Sequence, residues 1–487
     1  MPKVLLLMPV FVLAACSFAP DYQRPTAPVP AVWPAEAGVM RNGIHPDGAG
    51  APAARSSPSA PGDAAIAAHW RAFFPDSRLQ GLIAAALEHN RDLQVAVARV
   101  EEARALAGMA RAERFPPVDL AAQRAASLTP ADLSATGSQL NSQRYDVNLA
   151  VASFELDFWG RVKSLDDAGR ANFVASEYAQ QAFRLSLIAD VANAWLSLLE
   201  LDERLDLARA TARSREETRS LIARRRDVGL AGDLDYLQAD GAYQNARAEA
   251  ASLARSHAAA GNALGLLVGA AAAAPAGRRL AQQGLVADVA VGLPSEVLLA
   301  RPDVLAAEQK LIAANANIGA ARAAFLPRIL LTAAAGTASR GLSGLFDAGS
   351  GAWSFTPALR LPLFDGGRST DNVDLAKARK NIAVAEYEKV IQQAFREIAD
   401  LLAARGQLAE QLQAQEANVA AQSQRLRIVE ARYGAGVASH LELLDAQREQ
   451  FAAQQSALAV RRQLLGTAAS LYKALGGSAA EATKPVS

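Results

Sequence analysis

Apolar positions along the chain follow two different periods, and each period predicts a different element. From Lys163 to Asp227 there is no proline and apolar residues recur at steps of three or four, which predicts one helix roughly 100 Å long. Its apolar positions are Ile188, Val191, Trp195, Leu198 and Leu205. A second long stretch has a heptad register at Ile398, Leu401, Leu408, Leu412, Val419, Leu426 and Val429. Helices this long predict a coiled-coil bundle, and taken alone they are also typical of a rod or filament.

Shorter segments alternate apolar and polar residues, which is the pattern of a strand with one apolar face. They predict two hairpins, at about 115–128 with 144–158 and at about 325–338 with 352–364. Beyond Ser153 the apolar phase shifts by one position, so a β-bulge or a bend is expected there. Four strands cannot close a barrel, and every backbone group in lipid must be paired, so a membrane location requires strands from neighbouring chains. The alternative is a pair of surface hairpins on a helical protein, because short alternating strands are a weak signal.

Each long helix ends at a glycine-rich turn, and a second helix follows. The turns contain Gly229 and Gly232 in the first case and Gly434 and Gly436 in the second. Asp233 or Ser439 can cap the returning helices, which are predicted at about 233–267 and 441–475. Two antiparallel helical hairpins are therefore expected.

The chain contains an internal duplication. Alanine-rich helices resemble each other by chance, but paired Phe-x-Pro and glycine positions recur in order at nearly constant offsets of 210 and 207 residues. The matched pairs include Arg91 with Arg301, Phe115 with Phe325, Pro117 with Pro327, Gly229 with Gly436 and Gly269 with Gly476.

Composition narrows the functional classes. The 487 residues include one cysteine and five histidines, and the net charge is +1. A disulfide within one chain is impossible, and the balanced charge argues against a nucleic-acid partner. The histidines have no metal-ligand spacing and there is no glycine-rich phosphate loop, so neither an enzyme nor a cofactor is predicted.

The N-terminus reads as an export signal. The apolar run Val4–Ala15 is too short to span a membrane and predicts a signal peptide over residues 1–15. Small residues before the sole cysteine resemble a lipobox, which implies cleavage before Cys16 and acylation of that residue, for example with palmitate. An ordinary signal with an incidental cysteine is the alternative. Residues 16–75 are then a lipidated, largely extended segment, and 41–62 are too loose to assign.

Residues 293–327, LPSEVLLARPDVLAAEQKLIAANANIGAARAAFLP, resemble the signature of the outer membrane factors of tripartite efflux pumps. The likeness is strongest to the lipoprotein branch (TolC/OprM-like, NodT-type) and extends from about Pro20 to Gly476. It implies a mainly α fold with a transmembrane β-barrel, in which three chains form a 12-stranded barrel that continues into a coiled-coil tunnel. The domains expected from it are efflux repeat 1 at 76–270, an equatorial segment at 271–300, efflux repeat 2 at 301–476 and a flexible tail at 477–487.

The same resemblance implies a function and partners. The chain is expected to be a homotrimeric, passive and gated conduit in the Gram-negative outer membrane that exports small toxic compounds and contributes to multidrug resistance. Its expected partners are a periplasmic adaptor, which contacts the turns at Gly229, Gly232, Gly434 and Gly436, an inner membrane pump of the resistance-nodulation-division (RND) type, and membrane lipid through acylated Cys16. Type I protein or peptide secretion and a lipid-anchored coiled-coil structural protein are the alternatives.

The run LELLDAQR follows the second turn and contains the expected gate. Leu441, Asp445 and Arg448 fall at i, i+4 and i+7 and share one helix face. By the resemblance, Leu441, Glu442, Asp445 and Arg448 close the periplasmic entrance of the tunnel. A ring of Asp445 carboxylates, one from each copy, repels itself unless each is hydrated or paired with Arg448. A routine surface pair of Asp445 and Arg448 is the alternative.

Three neighbouring positions complete this expectation. Asp235 is the weaker gate candidate of the first repeat. Ala438 stands where a relative has an arginine, so one inter-hairpin link of that relative is expected to be absent. His440 lies beside the turn and is expected to be solvated.

Overall fold

The computed structural model describes residues 18–30, 70–270, 279–284 and 295–477. The predicted signal peptide, Cys16 and most of the segments at 16–75, 271–300 and 477–487 lie outside the described residues. The chain forms two compact units. Among the described residues, unit 1 comprises 18–26, 99–177 and 306–388, and unit 2 comprises 27–30, 70–98, 178–270, 279–284, 295–305 and 389–477.

Helices and strands occur in the same order in both halves of the chain, except that the first half begins with two additional helices. The first half contains α1 (Trp70–Phe73), α2 (Ser77–His89), α3 (Arg91–Ala112), β1 (Asp119–Thr129), β2 (Leu140–Leu156), α4 (Arg161–Asp227) and α5 (Asp233–Val268). The second half contains α6 (Pro302–Ala323), β3 (Arg328–Ser339), β4 (Gly351–Arg360), α7 (Arg368–Gly434) and α8 (His440–Ala474), with 3-10 turns at Leu280–Gln282, Ser295–Ala300 and Leu342–Gly344. Both predicted long helices are 67 residues long. The order of elements therefore repeats, as the duplication predicts.

All four strands form one antiparallel sheet in the order β1-β2-β3-β4. Within the sheet the hairpins β1–β2 and β3–β4 are the predicted ones, with boundaries shifted by a few residues. The two hairpins are joined by pairing of β2 with β3, for example Leu149 with Ala335. In the described chain, β1 and β4 each have one strand neighbour, so each half of the duplication leaves one open edge.

The predicted bulge keeps the apolar face of the sheet continuous. The register of β2 against β3 shifts between Val151 and Phe154, so that Val151 pairs with Ala333 and Phe154 pairs with Leu331. Side chains alternate across a regular strand, so Val151 and Phe154, three positions apart, would point to opposite faces in the absence of the bulge. With it, both lie on the face that carries Trp353, Phe355 and Leu359 of β4.

This apolar face is uncovered within one chain. Leu120, Trp353 and Leu359 are 74%, 81% and 67% exposed. The opposite face carries polar residues, among them Asp146, which accepts a hydrogen bond from Arg144 at 2.7 Å. A sheet with one apolar and one polar face, both open, is the arrangement of a barrel wall between lipid and water.

Unit 2 has an aromatic and aliphatic core. Ile188, Val191 and Trp195 of α4 are at most 2% exposed and pack with residues of α1, α2 and α8. Phe74 meets Tyr472 edge-to-face, with ring centroids 5.6 Å apart. Helix α4 is long and apolar enough to span a membrane, but 56% of its most apolar window is buried inside the protein. The apolar residues of α4 therefore pack into the core of unit 2.

Candidate functional site

Both helical hairpins turn by the same backbone device. Gly229 and Gly436 have φ values of 74° and 77°, the left-handed conformation that glycine adopts without strain. The following residue then bonds back to the preceding helix, Leu230 N–H to the Arg225 carbonyl at 2.8 Å and Val437 N–H to the Arg432 carbonyl at 2.9 Å. These bonds satisfy carbonyls at the helix ends and fix where each helix reverses.

The remaining predicted turn glycines have different roles. Gly232 is the N-cap of α5, and its N–H donates to Asp235 Oδ2 at 3.3 Å. Gly434 is the last residue of α7. Ser439 caps α8 as predicted, because its Oγ accepts from the Glu442 N–H at 3.2 Å.

Asp445 is the centre of a charged cluster on the second hairpin. Its Oδ1 accepts from Arg448 Nη2 at 2.7 Å, as the spacing predicts, and its Oδ2 accepts from Arg425 Nη2 at 2.6 Å. Arg425 lies on α7, so this second bond ties the two arms of the hairpin together. The Arg425 hydrogen bond, and then the positive charges of Arg425 and Arg448, lower the pKa of Asp445. The carboxylate is therefore ionised and neutralised within its own chain.

Leu441 and Glu442 stand one turn before this cluster. Glu442 lies 3.7 Å from Arg432 on the other arm, a longer contact than those of Asp445. Leu441 is 63% exposed. Exposed apolar residues occur at matching positions of both hairpins, with Leu230 and Leu234 in the first and Val437 and Leu441 in the second. They form an apolar surface at each turn.

His440 is buried, so the expectation of a solvated residue is wrong. The residue is 8% exposed, and its ring lies 5.8 Å from the ring of Tyr433. Burial lowers the pKa of His440, and the charge of Asp235 partly opposes that shift. Asp235 therefore acts as a cap of α5 and as a neighbour of His440. Tyr433 of α7 lies against the imidazole, a contact that the local sequence does not reveal.

Arg425 and Arg432 are the functional candidates that the sequence pattern missed. A signal for them exists, since residues equidistant from a tight turn face each other across an antiparallel hairpin. Arg425 and Asp445 lie ten positions on either side of Ala435, and Arg432 and Glu442 lie five positions on either side of Val437. Reflection of charged positions about the turn finds both pairs.

No group of three or more potential metal ligands occurs in the described part of the chain. Cys16 lies outside the described residues. The arrangement at the turns is a set of ion pairs and exposed apolar side chains, which can hold helices together or release them.

Comparisons with known proteins give one consistent result. The sequence profile of the outer membrane efflux protein family matches residues 82–270 and 293–477. The toluene efflux pump outer membrane protein TtgF of Pseudomonas putida is 45% identical over 469 residues, covering 96% of this chain and 94% of that protein. Outer membrane protein OprJ of Pseudomonas aeruginosa is 44% identical over 473 residues, covering 97% and 95%. The solved open state of the MtrE outer membrane channel of Neisseria gonorrhoeae matches with a TM-score of 0.81 and 36% identity, covering 95% of this chain and 98% of that chain.

Proposed function

The chain belongs to the outer membrane efflux protein family and is an outer membrane channel of the TolC-like fold, and from that premise we propose that it is the passive, gated outlet of an RND-type tripartite efflux system. It exports small toxic compounds that an inner membrane pump and a periplasmic adaptor deliver. The name of TtgF, a toluene efflux protein, supports small organic molecules as the substrate class. The channel itself performs no catalysis.

The open sheet is the observation that carries this proposal. Both outer strands lack a partner within the described chain, and the apolar face is exposed. Unpaired backbone groups cannot remain in lipid, so β1 of one copy must pair with β4 of the next until the ring closes. The open edges require partner copies, and the number three, which gives twelve strands around a polar lumen, comes from the resemblance to the family.

The cluster around Asp445 is proposed as the periplasmic gate. Arg425 and Arg448 hold the carboxylate on the second helical hairpin, whose turn is expected at the tunnel entrance. Removal of Arg425 takes away the ion pair that joins the two arms at Asp445, so the returning arm is held less tightly there. An adaptor that binds the apolar surfaces at Gly229 and Gly436 can act on the same arm. Acylation of Cys16 supplements the barrel as a membrane anchor.

Single-channel recording in planar bilayers tests the proposal. The wild-type protein should give small or infrequent conductance steps, and R425A and D445A should give larger or more frequent ones. R427A is the matched control, because Arg427 lies on the same helix and bonds to Gln424, outside the cluster. No steps in any variant would support the lipid-anchored structural protein. Steps unaffected by R425A and D445A would refute the gate while leaving the channel intact.

Deletion of the gene tests the substrate class. Cells that lack the protein should become sensitive to organic solvents or antibiotics, and the intact gene should restore resistance. Unchanged sensitivity together with loss of a secreted polypeptide would favour type I secretion instead.

A further inference from the structure

Helices α4 and α6 pack against each other inside one chain along a seam of small residues. Ala168 and Ala171 of α4 are buried together with Ala313 and Ala316 of α6, and Ile312 packs against them. Helix α4 follows β2, helix α6 precedes β3, and these strands pair antiparallel, so the helices also run antiparallel. Ala168 therefore faces Ala316, and Ala171 faces Ala313.

The duplication repeats this seam on α7 and α3. At the offset of 207 residues, Ala168 and Ala171 correspond to Leu375 and Ala378 of α7. At the offset of 210 residues, the α6 residues of the seam correspond to α3 residues, Ala313 to Ala103, Ala316 to Leu106 and Ile312 to Glu102. Within one chain, however, α3 leads into β1 and α7 follows β4, and these are the two outer strands of the sheet. Only a second copy of the chain can bring this pair of helices together.

The matching positions are covered in one case and uncovered in the other. Ala168 and Ala175 of α4 are 4% and 3% exposed, whereas their counterparts Leu375 and Ile382 of α7 are 47% and 58% exposed. Leu106 of α3 is likewise 57% exposed. These side chains form an open apolar stripe on each helix, and both stripes lie at the positions that are buried when α4 meets α6.

The opposite side of α3 is already occupied by α4. A Cβ at Gly169 of α4 would lie 3.2 Å from the Cβ of Ala110 and 3.5 Å from the Cα of Ala107, and the guanidinium of Arg104 lies over the ring of Phe173, 5.4 Å from its centroid. Helix α3 therefore packs on its own chain through one side and leaves the side that carries Leu106 for another partner.

One charged pair distinguishes this second seam. Glu102 occupies the position of Ile312, and Arg379 occupies the position of Asn172, the residue after Ala171. The antiparallel register that sets Ala378 opposite Ala103 sets Arg379 opposite Glu102. Both charged side chains are exposed in the single chain. Closure of the seam removes water from Glu102, and a carboxylate that loses water without gaining a cation is costly.

We propose that α7 of one copy packs antiparallel against α3 of the next, and that an ion pair between Arg379 and Glu102 across this seam fixes its register and selects the neighbour. The partner is a second copy of this chain, and the inference rests on the ring proposed above. Leucine and isoleucine replace alanine in this seam, so its helices stand further apart than α4 and α6. The two seams are therefore not interchangeable, which favours the correct neighbour.

Disulfide formation between copies tests the seam in the purified full-length protein. In a C16S background, A103C/A378C should oxidise to a ladder of covalent oligomers that ends at the closed ring, because the two positions face each other. A103C/A385C is the matched control, since Ala385 lies seven positions further along α7, about 10 Å away. Equal ladders from the two variants, or a ladder from neither, would overturn the proposed register.

Charge reversal tests the ion pair in the same cysteine background. R379E and E102R should each lower the disulfide yield after a fixed short oxidation by about fivefold, because a repulsion replaces an attraction. The double reversal E102R/R379E should restore the yield. E101R is the control, because Glu101 pairs with Arg104 of its own chain at 2.9 Å and is not assigned to the seam. A double reversal no better than either single one would refute the pair.

Conductance of the unoxidised variants in planar bilayers reports on the ring separately. Conductance steps from A103C/A378C without disulfides would refute the seam and leave the proposed channel intact. Loss of both steps and disulfides in every variant would refute the proposed ring itself, and with it the inference.

Discussion

Arg301 provides a sharp test of how the second repeat is held together, because its buried guanidinium joins three elements. It donates to both carboxylate oxygens of Asp303 at 3.0 and 2.9 Å, to Glu397 of α7 at 2.9 Å and to the Ala474 carbonyl at the end of α8 at 2.7 Å. R301M keeps similar bulk but removes every donor. Loss of one partner from a buried ion pair costs about 3–5 kcal/mol. Asp303 and Glu397 are 38% and 33% exposed and regain some hydration, so the lower end of about 3 kcal/mol is expected.

The duplication supplies the control. Arg91 occupies the matching position of the first repeat but is exposed and bonds to Gln94 at 2.8 Å. R91M should therefore change stability by less than about 0.5 kcal/mol. R301K keeps the charge without the planar donor geometry and should fall between the two.

Thermal unfolding followed by the helical circular dichroism signal, in one detergent for all variants, gives the ranking. A destabilisation of 1 kcal/mol lowers the unfolding midpoint of a unit as large as unit 2 by about 2 °C, so R301M should lower the midpoint by about 6 °C. The same midpoint for R301M and R91M would contradict the prediction, because burial and the number of partners would then not determine how much stability is lost when the arginine is removed.

Two other predictions follow from burial and charge. I188A should destabilise the protein by about 2–5 kcal/mol, because Ile188 is fully buried in the core of unit 2, while L221A on the same helix, where Leu221 is 44% exposed, should cost less than about 1 kcal/mol; equal losses in denaturant unfolding would contradict the core assignment. Burial lowers the pKa of His440 below its ordinary value of 6.5. Around and below that pH the folded protein therefore binds fewer protons than the unfolded chain. The contribution of His440 to stability is complete above pH 6.5 and is lost as the pH falls below it. H440F should abolish this pH dependence of stability, as measured by protease cleavage at the turns between pH 7.5 and 5. The pKa of Asp445 is also lowered, so its ion pairs persist over that range. An acid response retained in H440F would rule out His440 as its origin.

The sequence predicts the elements well where the pattern is local. The change of apolar phase beyond Ser153 predicts the bulge, and the register shift between Val151 and Phe154 confirms it. The spacing of Asp445 and Arg448 predicts their ion pair, which the structure contains. The glycine turns likewise identify where each long helix reverses, because the left-handed conformation is a local requirement.

Long-range contacts were not predictable from such patterns. Arg425 reaches Asp445 only because the two arms pack side by side, and His440 is buried next to Tyr433 of the other arm. The N-terminal segment was expected to be extended, but Glu308, which accepts hydrogen bonds from Tyr22 and Arg24, lies almost 300 positions away in the chain. Nothing in the periodicity of α6 distinguishes a residue that faces solvent from one that faces the N-terminal segment. Glu308 corresponds to Ala98 in the first repeat, and this unequal substitution is the one feature of the sequence that could have found the contact.

The open edges of the sheet belong to different halves of the duplication, β1 to the first and β4 to the second. In the proposed ring, pairing of β1 with β4 of the next copy is therefore a head-to-tail contact. A subunit damaged at β1 can still offer β4 to a healthy neighbour and so enter a growing ring that never closes. Mutations at either edge should therefore be genetically dominant, since each incomplete ring also contains intact subunits that are then lost to functional channels.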